Sequence, residues 1–475
     1  MEETKKLLAE NQLTPKASLG QSFCIDIRLL RRLVDYSSIK ASDTVLEIGA
    51  GFGSLTILLA ESAGTVLAVE LDPILTKLLR HRVADRGNVR VIEGDILRQS
   101  HLVFQKVVAN PPYSISLPLL LTLLRWEFTS AVLTLQREFA EKLTAKQGEE
   151  QYSQLSVLVS YRTDVELLER VPRSAFYPRP KVESAVVRVR QRPPAFHIQD
   201  EEVFFRLVKT LFTQRNRMVR HGLVTFLRQD AGASKEEARR LLSGFPHLDH
   251  RVEELAPRDF ADITNPAVSL VKGTKLTFEG LSLYIFPEVY RPSDDTFLLA
   301  KHLDVSAGED VLDMGTGCGL LGILSAKRGA KVMAVDISPY AVSCAELNAK
   351  LNGVASRIDA EQSDLFQKVS GKFELVIFNP PYLPMDQNDR TKGWLEKAWQ
   401  GGKSGREVIE RFVKVLPSYL KPNGRMLMVL SSLTDPEKVV HALESQRLDV
   451  AILEEESFEF ERLIVLRASC IRNQV

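Results

Sequence analysis

Short apolar runs rich in β-branched residues alternate along this chain with stretches whose apolar positions recur every three or four residues. The runs include "TVLEI", "TVLAV" and "KVVA" early on, and "DVLDM", "KVMAV" and "ELVIF" later. Between them lie patterns such as "SLTILLAESA" and "LLGILSAKRGA". Short apolar runs predict buried strands, and the longer period predicts amphipathic helices. Strands taking turns with helices predict an α/β fold, a doubly wound, mostly parallel sheet whose ligand lies outside the carboxyl ends of the strands.

The pattern is written twice. "TVLEIGAGFG" (44–53) aligns with "DVLDMGTGCG" (310–319) at an offset of 266. In each copy an acidic residue (Glu47, Asp313) precedes glycines at alternate positions, and a second apolar run ends in an acidic residue 23 positions later, Glu70 or Asp336. Asp95 pairs with Asp364, and Asn110 with Asn379, at an offset of 269. Two tandem domains of one architecture are therefore expected, in keeping with a length of 475 residues. Glycines let the first turn approach a ligand, because they lack a Cβ and tolerate positive φ. A carboxylate ending the second strand can accept hydrogen bonds from ribose hydroxyls. Glycines and acid together suit a nucleotide-type cofactor, although a dinucleotide-binding protein carries similar glycines.

The fourth strand separates those readings. It runs into Asn-Pro-Pro-Tyr in both halves, Asn110–Tyr113 and Asn379–Tyr382. A planar amino group, such as adenine N6 or a glutamine amide, is a poor nucleophile because its lone pair is delocalised. Its N–H groups need acceptors, and the nitrogen must be aimed. The Asn oxygen and the carbonyl after it can be those acceptors, stiffened by prolines whose φ is fixed. The adjacent aromatic ring can stack on the substrate's plane. Catalysis is then orientation and electrostatics, and Asn110, Pro111, Tyr113, Asn379, Pro380 and Tyr382 become the candidate catalytic residues. The plainer reading is a proline-stiffened loop closing a buried strand.

Both halves resemble class I S-adenosylmethionine-dependent methyltransferases that act on amino groups. The resemblance implies S-adenosyl-L-methionine as cofactor. It assigns Glu70 and Asp336 to the ribose, Asp95 and Asp364 to the adenine amino group, and Gly49, Gly51, Gly315 and Gly317 to the methionine moiety, with Asn110 and Asn379 also at the cofactor.

"GQSFCID", "NPPYSIS", "LQREFAEKL" and above all "FYPRPKVESAVVRV" resemble the rRNA adenine dimethyltransferase family, which methylates two adjacent adenines near the 3′ end of small-subunit rRNA. The segment holding Ser22 and Cys24 then reaches over the cofactor, through its main chain, since "QSFC" departs from the usual Gln-Asn-Phe-Leu. "NPPY" likewise stands where Asn-Leu-Pro-Tyr is common. The resemblance implies a catalytic domain at 1–194 and a helical RNA-gripping subdomain at 195–265. Phe176, Arg179, Lys181, Arg215 and Arg217 are the expected substrate contacts.

After an expected linker at 266–275, residues 276–475 resemble the glutamine methyltransferases that modify class I release factors. The match runs through Tyr290, Pro292, Asp295, Thr296, Phe297 and Leu299, then "IFNPPYLP" and "GGKSGREVIERF". Glycines 401–405 either shape the substrate mouth or form a flexible loop before a helix. Members of that family often work with a small zinc-binding activator, which makes one a candidate partner beside small-subunit rRNA and a release factor. Other accounts make the C-terminal half a nucleic-acid adenine methyltransferase, the N-terminal half a non-catalytic RNA-binding module, or one half degenerate.

Charge adds a bias. Residues 1–265 carry 37 Lys and Arg against 33 Asp and Glu, the remainder 25 against 28, and 170–220 hold 12 basic and 4 acidic residues. That stretch suits a polyanion or a solvated face. Neither a membrane span nor a signal peptide is expected. Cys24, Cys318, Cys344 and Cys470 are scattered, and His247 and His250 lack further ligands nearby, so neither a disulfide framework nor a metal site is expected. A cytoplasmic setting is expected.

Overall fold

The computed structural model describes residues 2–11, 13–16, 20–99, 102–384, 393–458 and 461–470. They divide into two compact units: one runs to Gly222 and adds Asp249–Asp262, and the other comprises Leu223–Leu248 and everything from Ile263 onward.

In the first unit, β1 (Phe23–Cys24) is followed by β2 (Thr44–Ile48), β3 (Thr65–Glu70), β4 (Val89–Glu93), β5 (Lys106–Ala109) and β6 (Ser130–Gln136). β7 (Thr163–Val171), β8 (Phe176–Tyr177) and β9 (Ser184–Gln191) complete it. The main sheet runs β4-β3-β2-β5-β6-β9-β7. Its first five strands are parallel, and β9 is antiparallel to both β6 and β7. β1 and β8 pair antiparallel as a separate ribbon.

The second unit opens with a hairpin, β10 (Thr274–Phe278) and β11 (Leu281–Ile285). Its sheet is built from β12 (Asp310–Met314), β13 (Lys331–Asp336), β14 (Ile358–Gln362), β15 (Phe373–Phe378), β16 (Leu420–Ser431), β17 (Leu448–Ser457) and β18 (Arg462–Cys470). The order is β14-β13-β12-β15-β16-β18-β17, the same permutation as in the first unit. Even the register repeats: Glu47 lies opposite Ala68, and Asp313 opposite Ala334. The repeated α/β architecture expected from the sequence is thus present.

The central strands read as almost continuous apolar runs because both sheet faces are covered. Leu46, Val107 and Leu133 pack on one face of the first sheet, and Val45, Val108 and Val132 on the other, all buried. Leu312, Val376 and Met428 do the same on one face of the second. In each sheet the strand order reverses between the first strand and its parallel neighbour, β2 with β5 and β12 with β15. A crevice for a ligand opens at the carboxyl ends there.

Residues 266–275 are helix as far as Lys272 and strand from Thr274. Pro266 lies inside the helix Pro257–Lys272, where Phe260, Ile263, Ala267 and Leu270 are buried at helical spacing. That burial outweighs the donor lost at the proline. The stretch 195–265 is divided between the units, because Leu223–Leu248 and the residues from Ile263 belong to the second. Glu237 meets Lys275 at 2.8 Å and Ser282 at 2.6 Å, and the Tyr284 hydroxyl donates to the Ala231 carbonyl at 3.2 Å. No described helix is long and apolar enough to cross a membrane.

Candidate active sites

Each unit carries one cleft at its strand-order reversal, about 720 Å³ in the first and 620 Å³ in the second. Both lie in the range of small-molecule sites. After β2 the chain turns through Gly49, Gly51 and Gly53 at φ of 73°, 57° and 81°, and after β12 through Gly315, Gly317 and Gly319 at 67°, 55° and 85°. Side chains rarely adopt such angles, which accounts for the alternate glycines.

The acidic residue closing the next strand pins that turn. Glu70 accepts from the Gly51 N–H at 2.8 Å and the Asp72 N–H at 2.9 Å. Asp336 accepts from Gly317 at 3.0 Å and Ser338 at 2.9 Å. Burial raises the pKa of both, against the pull of these amides. Asp95 caps the short turn after β4, accepting from the Leu97 N–H at 3.0 Å, and Asp364 is held by Arg411 at 2.8 Å. Glu70, Asp95, Asp336 and Asp364 all line their clefts. So do Leu71 and Ile337, apolar yet 51% and 43% exposed, which offer a face to a planar ring. Sequence reasoning missed them, although an apolar residue directly after a strand-ending acid was the available signal.

The two asparagines are the most telling feature. Asn379 Nδ2 donates to Thr296 Oγ1 at 3.0 Å, and Asn110 Nδ2 to the Ser22 carbonyl at 3.5 Å. Asn110 Oδ1 and Asn379 Oδ1 are buried, and neither has a hydrogen-bond partner. Buried acceptors are normally satisfied. Two orphans at matching positions, each lining a cleft, point to a ligand that supplies the missing N–H. The donor end is fixed elsewhere, so the oxygen is the end left to be paired. Pro111, Tyr113, Pro380 and Tyr382 line the same clefts. The tyrosines are anchored differently: Tyr113 bonds the hydroxyl of buried Ser184, whereas the Tyr382 hydroxyl reaches Asp295 at 3.4 Å.

Ser22 and Cys24 line the first cleft. The Ser22 hydroxyl donates to the Pro178 carbonyl at 2.8 Å, and the Cys24 thiol is turned to the Asp26 carbonyl and pushed up to about 12 by burial. Arg179 and Lys181 stand at the same cleft, and neither has an ion pair among the described residues. Phe176 does not line it; it is 1% exposed in the core, drawn inward by the pairing of β8 with β1. Arg215 is away from the cleft, bonded to Glu253 and to the Glu149 and Glu150 carbonyls, while Arg217 is exposed and also away from it. Much of the basic excess is neutralised: Arg188 and Arg190 meet Glu166, and Arg192 meets Asp164, on the neighbouring strand.

Glycines 401–405 pack against the second corner. A Cβ on Gly401 would lie 2.7 Å from the Pro381 carbonyl oxygen. Trp394 and Trp399 line that cleft, as do Glu288 and Glu461, each with one carboxylate oxygen buried and unpartnered.

Comparison with known proteins agrees with this doubling. A family model described as "Ribosomal RNA adenine dimethylase" matches residues 12–263, and one described as "Methyltransferase small domain" matches 291–457. A probable ribosomal RNA small subunit methyltransferase A of Methanococcoides burtonii is 40% identical over 52% of this chain and 90% of that one. A putative protein N5-glutamine methyltransferase of Methanocaldococcus jannaschii is 43% identical over 41% of this chain and 98% of that one. The chain belongs to the ribosomal RNA adenine dimethylase family in its first half and to the protein N5-glutamine methyltransferase family in its second.

Among solved structures, a dimethyladenosine transferase of Plasmodium falciparum aligns with a TM-score of 0.47 and 25% identity, over 52% of this chain and 98% of that one. Both families are methyltransferases of the class I fold, whose cofactor is S-adenosyl-L-methionine. The residues fit that group: a glycine turn open to a ligand, a carboxylate closing the second strand, and a buried acceptor awaiting a donor. In each half of this adenine dimethylase and glutamine methyltransferase fusion the fit is complete within one unit.

Proposed function

We propose that the first half dimethylates N6 of two adjacent adenines near the 3′ end of small-subunit rRNA, and that the second half methylates N5 of a glutamine in a class I release factor. The observation that carries this reading is the orphaned Asn oxygen in each cleft. The first cleft is lined by three carboxylates and two cations, Arg179 and Lys181, and the second by six carboxylates, Glu288 and Glu461 among them, and two cations, Lys397 and Arg411. Exposed cations such as Arg179 and Lys181 attract a phosphate backbone, whereas an excess of carboxylates repels one. That difference favours a polypeptide over nucleic acid for the second half.

When bound, S-adenosyl-L-methionine supplies an electrophilic sulfonium methyl. The protein's share is geometric. Asn110 or Asn379 Oδ1 accepts one N–H of the planar amino group, and the stiff Pro-Pro corner keeps that acceptor still. The tyrosine ring covers the substrate plane. We assign rRNA gripping to the parts of 195–265 in the first unit and to Arg179 and Lys181. A cytoplasmic setting, where rRNA and release factors meet, accords with four unpaired cysteines.

The test is methyl transfer from labelled cofactor to small ribosomal subunits and to a release factor, the latter with and without a small zinc-binding activator. Asn110→Ala should abolish only RNA labelling, and Asn379→Ala only protein labelling. Undiminished label on a release factor whose Gly-Gly-Gln glutamine is changed to alanine would overturn the glutamine assignment.

A further inference from the structure

The Asn-Pro-Pro-Tyr corner of the second unit does not hold itself in place. Asp295, in the first turn of the helix Asp294–Lys301, is 4% exposed and gathers four donors. Its Oδ1 accepts from the Thr296 N–H at 2.6 Å and the Thr296 hydroxyl at 3.0 Å. Its Oδ2 receives the Tyr290 hydroxyl at 3.5 Å and the Tyr382 hydroxyl at 3.4 Å. Thr296 Oγ1 in turn accepts from Asn379 Nδ2 at 3.0 Å. One carboxyl group therefore reaches the corner's first residue through Thr296 and its last residue directly.

We propose that Asp295 is the positioning residue of the glutamine methyltransferase site, fixing which end of the Asn379 amide faces the substrate and where the Tyr382 ring lies; this rests on the function proposed above. An acidic residue in a helix's first turn needs no such role, since the exposed N–H groups and dipole favour it there. Such a residue would be expected in solvent, without two tyrosine hydroxyls converging on its far oxygen. Asn379 gives a second argument. An Asn amide is nearly symmetrical in shape, and only its hydrogen bonds decide which end points where. Thr296 can accept from Nδ2 because its own proton is committed to Asp295. Remove that commitment and the hydroxyl can donate instead, turning the amide over and presenting N–H groups to a substrate that itself offers N–H.

The tyrosines are donors and not bases. Burial, with Asp295 beside them, pushes both phenols well above their ordinary range. The first unit does the corresponding job with neutral chemistry, through Ser184 and the Ser22 carbonyl. Asp295 is thus a feature of this site and not of the repeated corner.

The experiment uses the full chain with two pairs of variants, Asp295→Ala with Asp295→Asn, and Thr296→Val with Thr296→Ser. Steady-state methylation of the release factor is measured beside rRNA methylation by the same preparation. Asp295→Ala and Thr296→Val should lower kcat about a hundredfold, the scale set by an ångström of misplacement, with KM changed less than about threefold. Asp295→Asn keeps an acceptor for Thr296 and should recover kcat to within about fivefold of wild type, as should Thr296→Ser. RNA methylation should be unchanged throughout. The proposal is overturned if Asp295→Ala stays within twofold of wild type, or if Asp295→Asn is as slow as Asp295→Ala, which would make charge and not position its contribution. If Asp295→Ala does not fold, a Thr296→Val enzyme with wild-type kcat overturns it equally. A wild-type chain that leaves release factor unlabelled refutes the underlying function instead.

Discussion

A Cβ on Gly405 would lie 2.5 Å from the main-chain oxygen of Tyr382. Gly405 also has φ of 71°, so an added methyl meets both a strained backbone and an oxygen that cannot move without the corner. Gly405→Ala should therefore cost about 1–3 kcal/mol in the second unit and slow glutamine methylation at least about tenfold. Thermal unfolding beside the transfer assay checks both, and an active, fully stable variant would return the glycines to the role of a mere hinge.

Tyr113 and Ser184 should behave as a pair. Tyr113→Phe and Ser184→Ala each remove one hydrogen bond, worth roughly 1 kcal/mol, and each should lower adenine methylation about fivefold. The double variant should be no slower than either single one. Multiplied effects would mean that the two hydroxyls act separately.

Glu70→Ala and Asp336→Ala should each abolish one of two cofactor sites. Titration calorimetry with S-adenosylhomocysteine should find both sites in the parent chain and one in each variant. Loss of both from a single substitution would contradict the self-contained clefts described above.

Glu237 makes stability depend on acid. Burial disfavours its charge, but Lys275, Ser282 and Ser234 outweigh that and pull its pKa from 4.5 down to about 2. A carboxyl whose folded pKa is depressed stabilises above its unfolded value and loses that contribution as pH falls through the folded one. The wild-type second unit should thus lose its advantage over Glu237→Gln between about pH 4.5 and 2. Melting temperatures that fall in parallel over that window would refute the assignment.

Glu47 works in the opposite sense. Burial pushes its carboxyl up to about 8, so the folded chain keeps a proton that the unfolded chain releases from about pH 4.5 upward. The wild-type first unit should lose stability relative to Glu47→Gln as pH rises from about 4.5 to 8. A constant difference between the two melting curves would show that Glu47 is charged in place.

Local features were the legible ones. The glycine turns, Glu70, Asp336 and both Asn-Pro-Pro-Tyr corners are each set by a few consecutive residues, and they stand at the clefts. What depends on distant partners was not legible. Phe176 sits in a motif with exposed basic neighbours, yet its strand pairing turns it inward. A count of arginines cannot see Glu166 and Asp164 across the sheet, or the carbonyls that hold Arg215. Asp295 was visible as part of a pattern, but its purpose appears only once Tyr290, Thr296 and Tyr382 surround it.

The different charged residues lining the two clefts bear on inhibition. The glycine turn, the strand-ending acid and the Asn oxygen are common to both clefts, so a compound that merely mimics the cofactor is expected to silence both activities. Selectivity has to be appended: an anionic arm toward Arg179 and Lys181 would single out the first half, and a cationic arm toward Glu288 and Glu461 the second.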